Sequence, residues 1–436
     1  MKNVMRLPGA RLVSHAAFVV VIWFVLSAIN DRVDPLTNYY IALAGMYATA
    51  MFGMVILVGL SGQVSLGNGA LMAIGAYSFA LVSLNWQTVP ILGVPMNGWW
   101  AMVAAGIGGI VFGLIIGGLG ARLKGPYLAG LTLGIAVGIP AIANRFPDLF
   151  GGENGLMLTV PYPDGGYAPV EESAGSDDSV ADLPTSQDAL PTDQPSSGGG
   201  DLLTDDNFPT ADPSASSGDL LTADNFPSAG ASTDSLPTID GGSGTDGSTS
   251  SSDGLDDGFV IEHWQASLSI LVACIVAFMA LNLIRGRQGS VWKAVRDDPI
   301  AAAVSGMSPA GAKIAAFAIS SFFAALSGGV FAQILSYVGP GAFGLGLSLS
   351  LLVGIVLGGR SALLGAVIGA VLLVWLPEFI HGVSGDRGWD EQVTNNAPNL
   401  IYGLLVVLVV LVAPGGIVGT MQQGIAKVTK RARSSG

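Results

Sequence analysis

The stretch Trp99-Trp-Ala-Met-Val-Ala-Ala-Gly-Ile-Gly-Gly-Ile-Val-Phe-Gly-Leu-Ile-Ile-Gly-Gly-Leu119 contains no charged side chain from end to end. A helix rises 1.5 Å per residue, so about 20 such residues cross the roughly 30 Å hydrocarbon core of a bilayer. Runs of the same character lie on both sides of it. Upstream they are Val13–Ile29, Asn38–Val58 and Asn68–Leu84; downstream they are Tyr127–Ala143, Trp264–Ile284, Lys313–Leu335, Phe343–Gly358, Ala362–Phe379 and Leu400–Val412. The fold class that follows is an all-α membrane protein with about ten transmembrane helices. Runs that are short or interrupted, notably those with Pro140 and Gly354, set the range at nine to eleven. Such breaks are tolerated where protein surrounds the backbone.

Charge is distributed unevenly along the chain. The formal charge of -13 arises from one segment: 20 of the 31 acidic residues fall between Asp164 and Asp257, where there is no Lys or Arg. The remainder holds 18 basic and 11 acidic residues, a net of +7. The acidity therefore says nothing about nucleic acid, and the basic remainder suits a polytopic protein with cationic cytoplasmic loops. The single cysteine, Cys274, sits in an apolar run and excludes both an intrachain disulfide and a cysteine metal site. Lys2, Arg6 and Arg11 precede a run long enough to be an uncleaved first span rather than a signal peptide.

With the N-terminus placed in the cytoplasm, ten crossings bring Arg122 and Lys124, then Arg285, Arg287, Lys293 and Arg296, then Arg360, and finally Lys427, Lys430, Arg431 and Arg433 to the same side. Both termini are thus expected to be cytoplasmic. Four regions follow: helices 1–5 over residues 1–160, an acidic low-complexity extracytoplasmic insert over 161–258, helices 6–10 over 259–425 with a cytoplasmic loop at 285–312, and a basic tail over 426–436. The insert is rich in Asp, Ser, Gly, Thr and Pro and buries too little apolar surface to offset the entropy of ordering, so a disordered loop is expected. It repeats Gly200-Asp-Leu-Leu-Thr-Asp-Asp-Asn-Phe-Pro209 as Gly218-Asp-Leu-Leu-Thr-Ala-Asp-Asn-Phe-Pro227, and its acids lack the spacing of a calcium-binding loop.

The runs hold essentially no ionisable group at membrane depth, Lys313 and Glu378 lying near predicted ends. That disfavours a carboxylate proton relay. The histidines, His15, His263 and His381, also lie at ends and are poorly placed to serve a buried nucleophile. No Gly-x-x-x-x-Gly-Lys-[Ser/Thr] phosphate loop occurs, so energy for active transport must come from another chain. Glycines at 109, 113 and 117 and at 365 and 369 have the four-residue spacing that lets helices approach closely.

Two stretches carry candidate function. Leu60-Ser-Gly-Gln-Val-Ser-Leu-Gly-Asn68 is polar and uncharged between two spans. A broken helix there would aim N-terminal amides at a substrate carboxylate, with Gln63, Ser65 and Asn68 as further polar partners; a cytoplasmic turn between two helices would have the same polarity. The second stretch is the basic loop after Arg285. Asp297 and Asp298 before Pro299, with Gly306 as a stop, predict a short helix outside the membrane, shaped for a groove in a soluble partner.

At these residues the chain resembles the LivM-type permeases, which serve branched-chain amino-acid and urea importers of the ATP-binding-cassette class. Gly62-Gln-Val-Ser-Leu-Gly-Asn-Gly-Ala-Leu-Met-Ala-Ile-Gly-Ala-Tyr77 is similar to the early signature and Gly151-Gly-Glu-Asn-Gly-Leu156 to the central glycine motif. Ala294 to Gly306 is similar to the coupling loop, and Val356 to Gly365 and Tyr402 to Gly419 follow in order. The candidate substrate-pathway residues are Gln63, Ser65 and Asn68 from the polar break with Gly151, Gly152 and Asn154 from the glycine motif. The resemblance implies a coupling loop, with Arg296, Asp297, Asp298, Ala301, Ala302 and Gly306, that docks on a cytoplasmic ATPase. No catalytic or metal-binding residue and no cofactor on this chain is implied, ATP being used by the partner. The other implied partners are a second permease subunit and an extracytoplasmic solute-binding protein, at the bacterial inner membrane. The resemblance implies a branched-chain or related amino acid as the solute, with urea or amides as the alternative; Asn68 replaces a longer polar residue, Leu71 an aromatic one and Arg360 an apolar one, and the first two departures bear on which solute is taken. A single-chain carrier or channel is the rival class and would transport without ATP hydrolysis.

Overall fold

A computed structural model describes residues 8–86, 98–123, 126–158, 253–360, 362–386 and 416–420, with isolated positions between 400 and 411. The acidic stretch 161–252, most of the run Leu400–Val412, Lys2, Arg6, Lys124 and the basic residues of the C-terminal tail lie outside the described residues. The described residues belong to the larger of two units, Met1–Tyr167 with Asp224–Gly436.

Among the described residues eight helical segments are long and apolar enough to cross a membrane. Helix α1 (Pro8–Asn30) leads to α2 (Pro35–Met54), where Pro35 occupies the first turn and its missing N–H goes unneeded. The last turns widen into a π-helix over Val55–Leu60. Then come α3 (Asn68–Asn85), α4 (Gly98–Ala121), α5 (Pro126–Arg145) and the short α6 (Pro147–Phe150). Helix α7 (Asp253–Arg285), which begins inside the stretch 161–258 expected as insert, passes into α8 (Arg287–Asp297) and α9 (Pro299–Val304). The last are α10 (Pro309–Leu335), α11 (Leu345–Gly358) and α12 (Leu363–Asp386). The described sheet structure is one antiparallel pair, β1 (Leu156–Met157) with β2 (Tyr337–Val338), in register Leu156 to Val338.

The core lies where α2, α3, α4 and α10 meet. In α10 78% of the most apolar window is buried, against 6% in α1, so α10 is central and α1 peripheral. Small residues make the close approaches. A Cβ at Gly113 of α4 would sit 2.6 Å from Ser321 Cβ, and one at Gly117 would sit 2.9 Å from Phe317 Cβ, both on α10. Gly75 of α3 crosses α10 against Ala325, and Gly354 and Gly358 of α11 lie against Gly369 and Gly365 of α12. Hydroxyls add cross-helix bonds: Ser327 Oγ donates to Met46 O at 2.7 Å and Ser269 Oγ to Ala42 O at 2.6 Å.

Three elements depart from the sequence reading. The run Asn68–Leu84 is a helix, α3, yet it is not among the eight spanning segments: its 18 residues begin and end on a polar asparagine, Asn68 and Asn85. The run Phe343–Gly358 is broken at Gly344 and counts among the eight as Pro340–Gly358: a 3-10 turn, Pro340–Phe343, leads into an α11 of 14 residues, which at 1.5 Å each rises about 21 Å. Helix α8 occupies what reads in sequence as the basic approach to the short helix.

Candidate functional site

The segment that follows the π-helix climbs without secondary structure from Ser61 to Gly67. Gly62 takes a left-handed conformation (φ 70°), and a Cβ there would lie 2.7 Å from Arg296 Cγ. Its polar groups are met one by one. Ser61 Oγ donates to Leu57 O (3.0 Å), Gln63 N–H to Leu57 O (3.0 Å), and Gln63 Nε2 to Ser61 Oγ (2.6 Å) and Lys313 O (3.4 Å). Higher up, Leu66 N–H donates to Thr132 Oγ1 of α5 at 3.0 Å and Gly69 N–H to Ser348 Oγ of α11 at 2.9 Å. The starts of α3 and α11 are therefore neighbours, Gly344 O lying 3.3 Å from where a Gly69 Cβ would be.

At that junction Asn68 opens α3. Its side chain is 1% exposed, and among the described residues neither its amide nitrogen nor its carbonyl oxygen has a partner. Ser65, fully buried, accepts a bond from Gly67 N–H at 3.3 Å. Ser65, Gly67, Leu71, Thr132 and Phe317 line a packing gap too narrow for a water molecule. The buried N-terminus of α3, with the unpartnered carboxamide of Asn68, thus lies beside a tightly packed, largely apolar wall, the start of α11 being its neighbour.

The other expected pathway residues fall elsewhere. Gln63 sits lower, against the chain entering α10. Gly151, Gly152 and Gly155 hold left-handed turns (φ 77°, 58° and 64°) that lead into β1, with Gly152 buried and Asn154 exposed. A Cβ at Gly155 would lie 2.7 Å from both the Tyr337 ring and Val338 O. The turn is fastened to α3 by Tyr77, whose ring meets Phe150 edge-on at 5.1 Å and lies 6.5 Å from Phe343. Thr132 and Ser348 escape the sequence reading because a lone hydroxyl in an apolar run gives no signal until its partner helix is known.

The expected coupling residues come together at α8 and α9. Asp298 Oδ1 accepts from Ile300 N–H and Ala301 N–H, both at 2.9 Å, and so caps α9. Gly306 (φ 82°) closes it with Met307 N–H on Ala302 O. Trp292 pins α8 to the bundle, fully buried with Nε1 donating to Ala312 O at 3.0 Å. Arg296 Nη1 donates to Gly59 O of the π-helix at 2.7 Å and pairs with Asp297 at 2.8 Å. Ala302 is buried, whereas Ile300 and Val304 are 76% and 85% exposed, an apolar pair on a six-residue helix.

Residues 36–169 and 217–413 match the family described as the permease component of the branched-chain amino acid transport system, which is most of the chain. The chain belongs to that family. This permease is 26% identical over 400 residues to the high-affinity branched-chain amino acid transport system permease protein LivM of Escherichia coli, covering 92% of this chain and 72% of the relative. The Salmonella typhimurium protein of the same name is 25% identical over the same coverage. A shorter stretch of 120 residues, 27% of this permease and 35% of the relative, is 36% identical to the autoinducer 2 import system permease protein LsrC of Escherichia coli. No solved structure matches the chain.

Proposed function

We propose that the permease moves branched-chain or closely related amino acids across a bacterial inner membrane, both termini being cytoplasmic. In this reading ATP is hydrolysed on separate subunits docked at α8 and α9, and the chain itself holds no cofactor. A second permease subunit completes the pathway and an extracytoplasmic binding protein delivers the solute. The observation that carries the reading is the buried, unpartnered carboxamide of Asn68 at the start of α3. An orphaned buried amide costs about 1–3 kcal/mol, which a ligand carboxylate or ammonium would recover. Leu71, Ile116, Ile135 and Phe317 around the adjoining gap suit an aliphatic side chain better than urea.

The segment from Gly59 to Asn68 supplies a physical link between partner and site. Arg296 of α8 holds Gly59 O and packs on Gly62, and five residues beyond Gln63 the same strand ends at Asn68. A displacement of α8 by its ATPase would draw on the start of α3 and widen or close the gap at Ser65.

Uptake by the reconstituted complex tests this. Labelled leucine, isoleucine and valine should enter vesicles with ATP and binding protein, and neither urea nor autoinducer 2 should compete. Competition by autoinducer 2, toward which the LsrC similarity points, would replace the amino-acid assignment. Flux that persists without ATP hydrolysis would assign a carrier or channel instead.

A further inference from the structure

The ends of α1 and α7 and the start of α8 enclose a cleft of about 610 Å3, lined by Ser14, His15, Arg285, Gly286, Ser290 and Lys293 among others. Among the described residues no carboxylate lines it. Among the described residues neither Arg285 nor Lys293 takes part in an ion pair. Arg285 is held in place rather than waving in solvent: its Nη1 lies 2.7 Å from His15 Nε2, and His15 Nδ1 lies 3.1 Å from Asn282 Oδ1. A guanidinium only donates, so Nε2 accepts, and the His15 ring links Asn282 to Arg285. Helix α8 opens here at Gly286, with no side chain capping it, so its first amides add positive potential. One turn along α1, Leu12, Val13 and Phe18 are exposed on a helix that the protein scarcely covers.

We propose that this cleft binds the phosphate headgroup of an anionic phospholipid, with the acyl chains lying along α1. Arg285 and Lys293 supply opposite charge and the Ser14 and Ser290 hydroxyls line the cleft beside them, while the apolar face of α1 separates a lipid from a free anion. Because Ser290 and Lys293 belong to α8, which also carries Arg296, an occupied site ties the coupling region to the peripheral helix α1. The inference stands on the membrane location alone and holds whichever solute is carried.

The test is thermal unfolding and native mass spectrometry of the full-length, delipidated permease in neutral detergent. Phosphatidylglycerol, phosphatidylcholine of the same chains, and inorganic phosphate are added separately. Phosphatidylglycerol should raise the unfolding midpoint and remain bound, and the other two should do neither. Arg285→Gln with Lys293→Gln should weaken phosphatidylglycerol binding about thirtyfold, the size expected of two basic groups at a bilayer surface. Should that variant fail to fold, Lys293→Glu alone, at an exposed position, should abolish the preference for the anionic lipid. Equal binding of both lipids, a preference surviving in the variants, or equal stabilisation by inorganic phosphate would overturn the proposal.

Discussion

Replacing Asn68 by leucine separates a structural role from a ligand-binding one. The side chain is 1% exposed with both polar atoms unpartnered among the described residues, so in the resting protein it stabilises nothing by hydrogen bonding. It is also not the cap of α3, since that position is Gly67 and no side chain caps the helix. Leucine has a similar volume, removes the desolvated amide and favours helix slightly more. The expected result is a protein more stable by about 1–3 kcal/mol, seen as a midpoint rise of roughly a few degrees. Transport should move the other way. A hydrogen bond between Asn68 and a charged solute group is worth about 1.5–3 kcal/mol, so the variant should need roughly 10- to 150-fold more solute for half-maximal uptake. Both readouts come from one preparation, unfolding in detergent and initial uptake rates in vesicles containing the ATPase and binding protein. A variant that loses stability while retaining uptake per folded molecule would refute the reasoning, because Asn68 would then be part of the packing.

Other perturbations probe the remaining parts. Ile300→Glu with Val304→Glu alters exposed side chains of α9, so folding should be unchanged while co-purification of the ATPase falls sharply; intact co-purification would remove α9 from the docking surface. Asp298→Ala deletes two capping bonds and should cost about 0.5–2 kcal/mol locally, read as faster hydrogen exchange at residues 299–306 with the rest unaffected. Gly113→Leu drives a side chain into Ser321 and should destabilise the protein by about 1–3 kcal/mol or more, whereas Gly118→Ala, where an added Cβ meets nothing, should stabilise by about 0.5–1 kcal/mol. Similar midpoints for those two variants would mean that α4 does not pack on α10 through its glycine ridge.

The helices were legible because lipid leaves few options: a stretch such as Trp99–Leu119 has no other way to satisfy its backbone. The glycine spacing in α4 was equally readable, since residues 109, 113 and 117 recur on one face whatever that face meets, and the structure supplies α10 as the partner. The short helix after Asp298 carried its own punctuation in Asp, Pro and Gly, and α9 begins and ends there. Helix α8 carried none. It starts at Gly286 without a cap and is held by Trp292 reaching Ala312, a contact across 20 residues that periodicity does not encode.

The candidate site shows most clearly where sequence reasoning reaches its end. Gln63, Ser65 and Asn68 are alike in the chain, three polar residues within six positions of one uncharged break, and composition gives no ground for ranking them. Tertiary contacts do. Gln63 spends its amide on Ser61 and the Lys313 carbonyl, and Ser65 accepts from Gly67, so each already has a partner in the resting protein. Asn68 has none. On the proposed reading, what separates a residue that holds the break in shape from one that would bind the solute is whether its hydrogen-bonding capacity is already used. That is decided by α5, α10 and α11, which supply Thr132, Lys313 and Ser348 from positions 66 to 279 residues away. A permease can therefore keep the fold of its broken segment while the one unsatisfied group at its end is changed, and the Asn68→Leu variant should reproduce that separation.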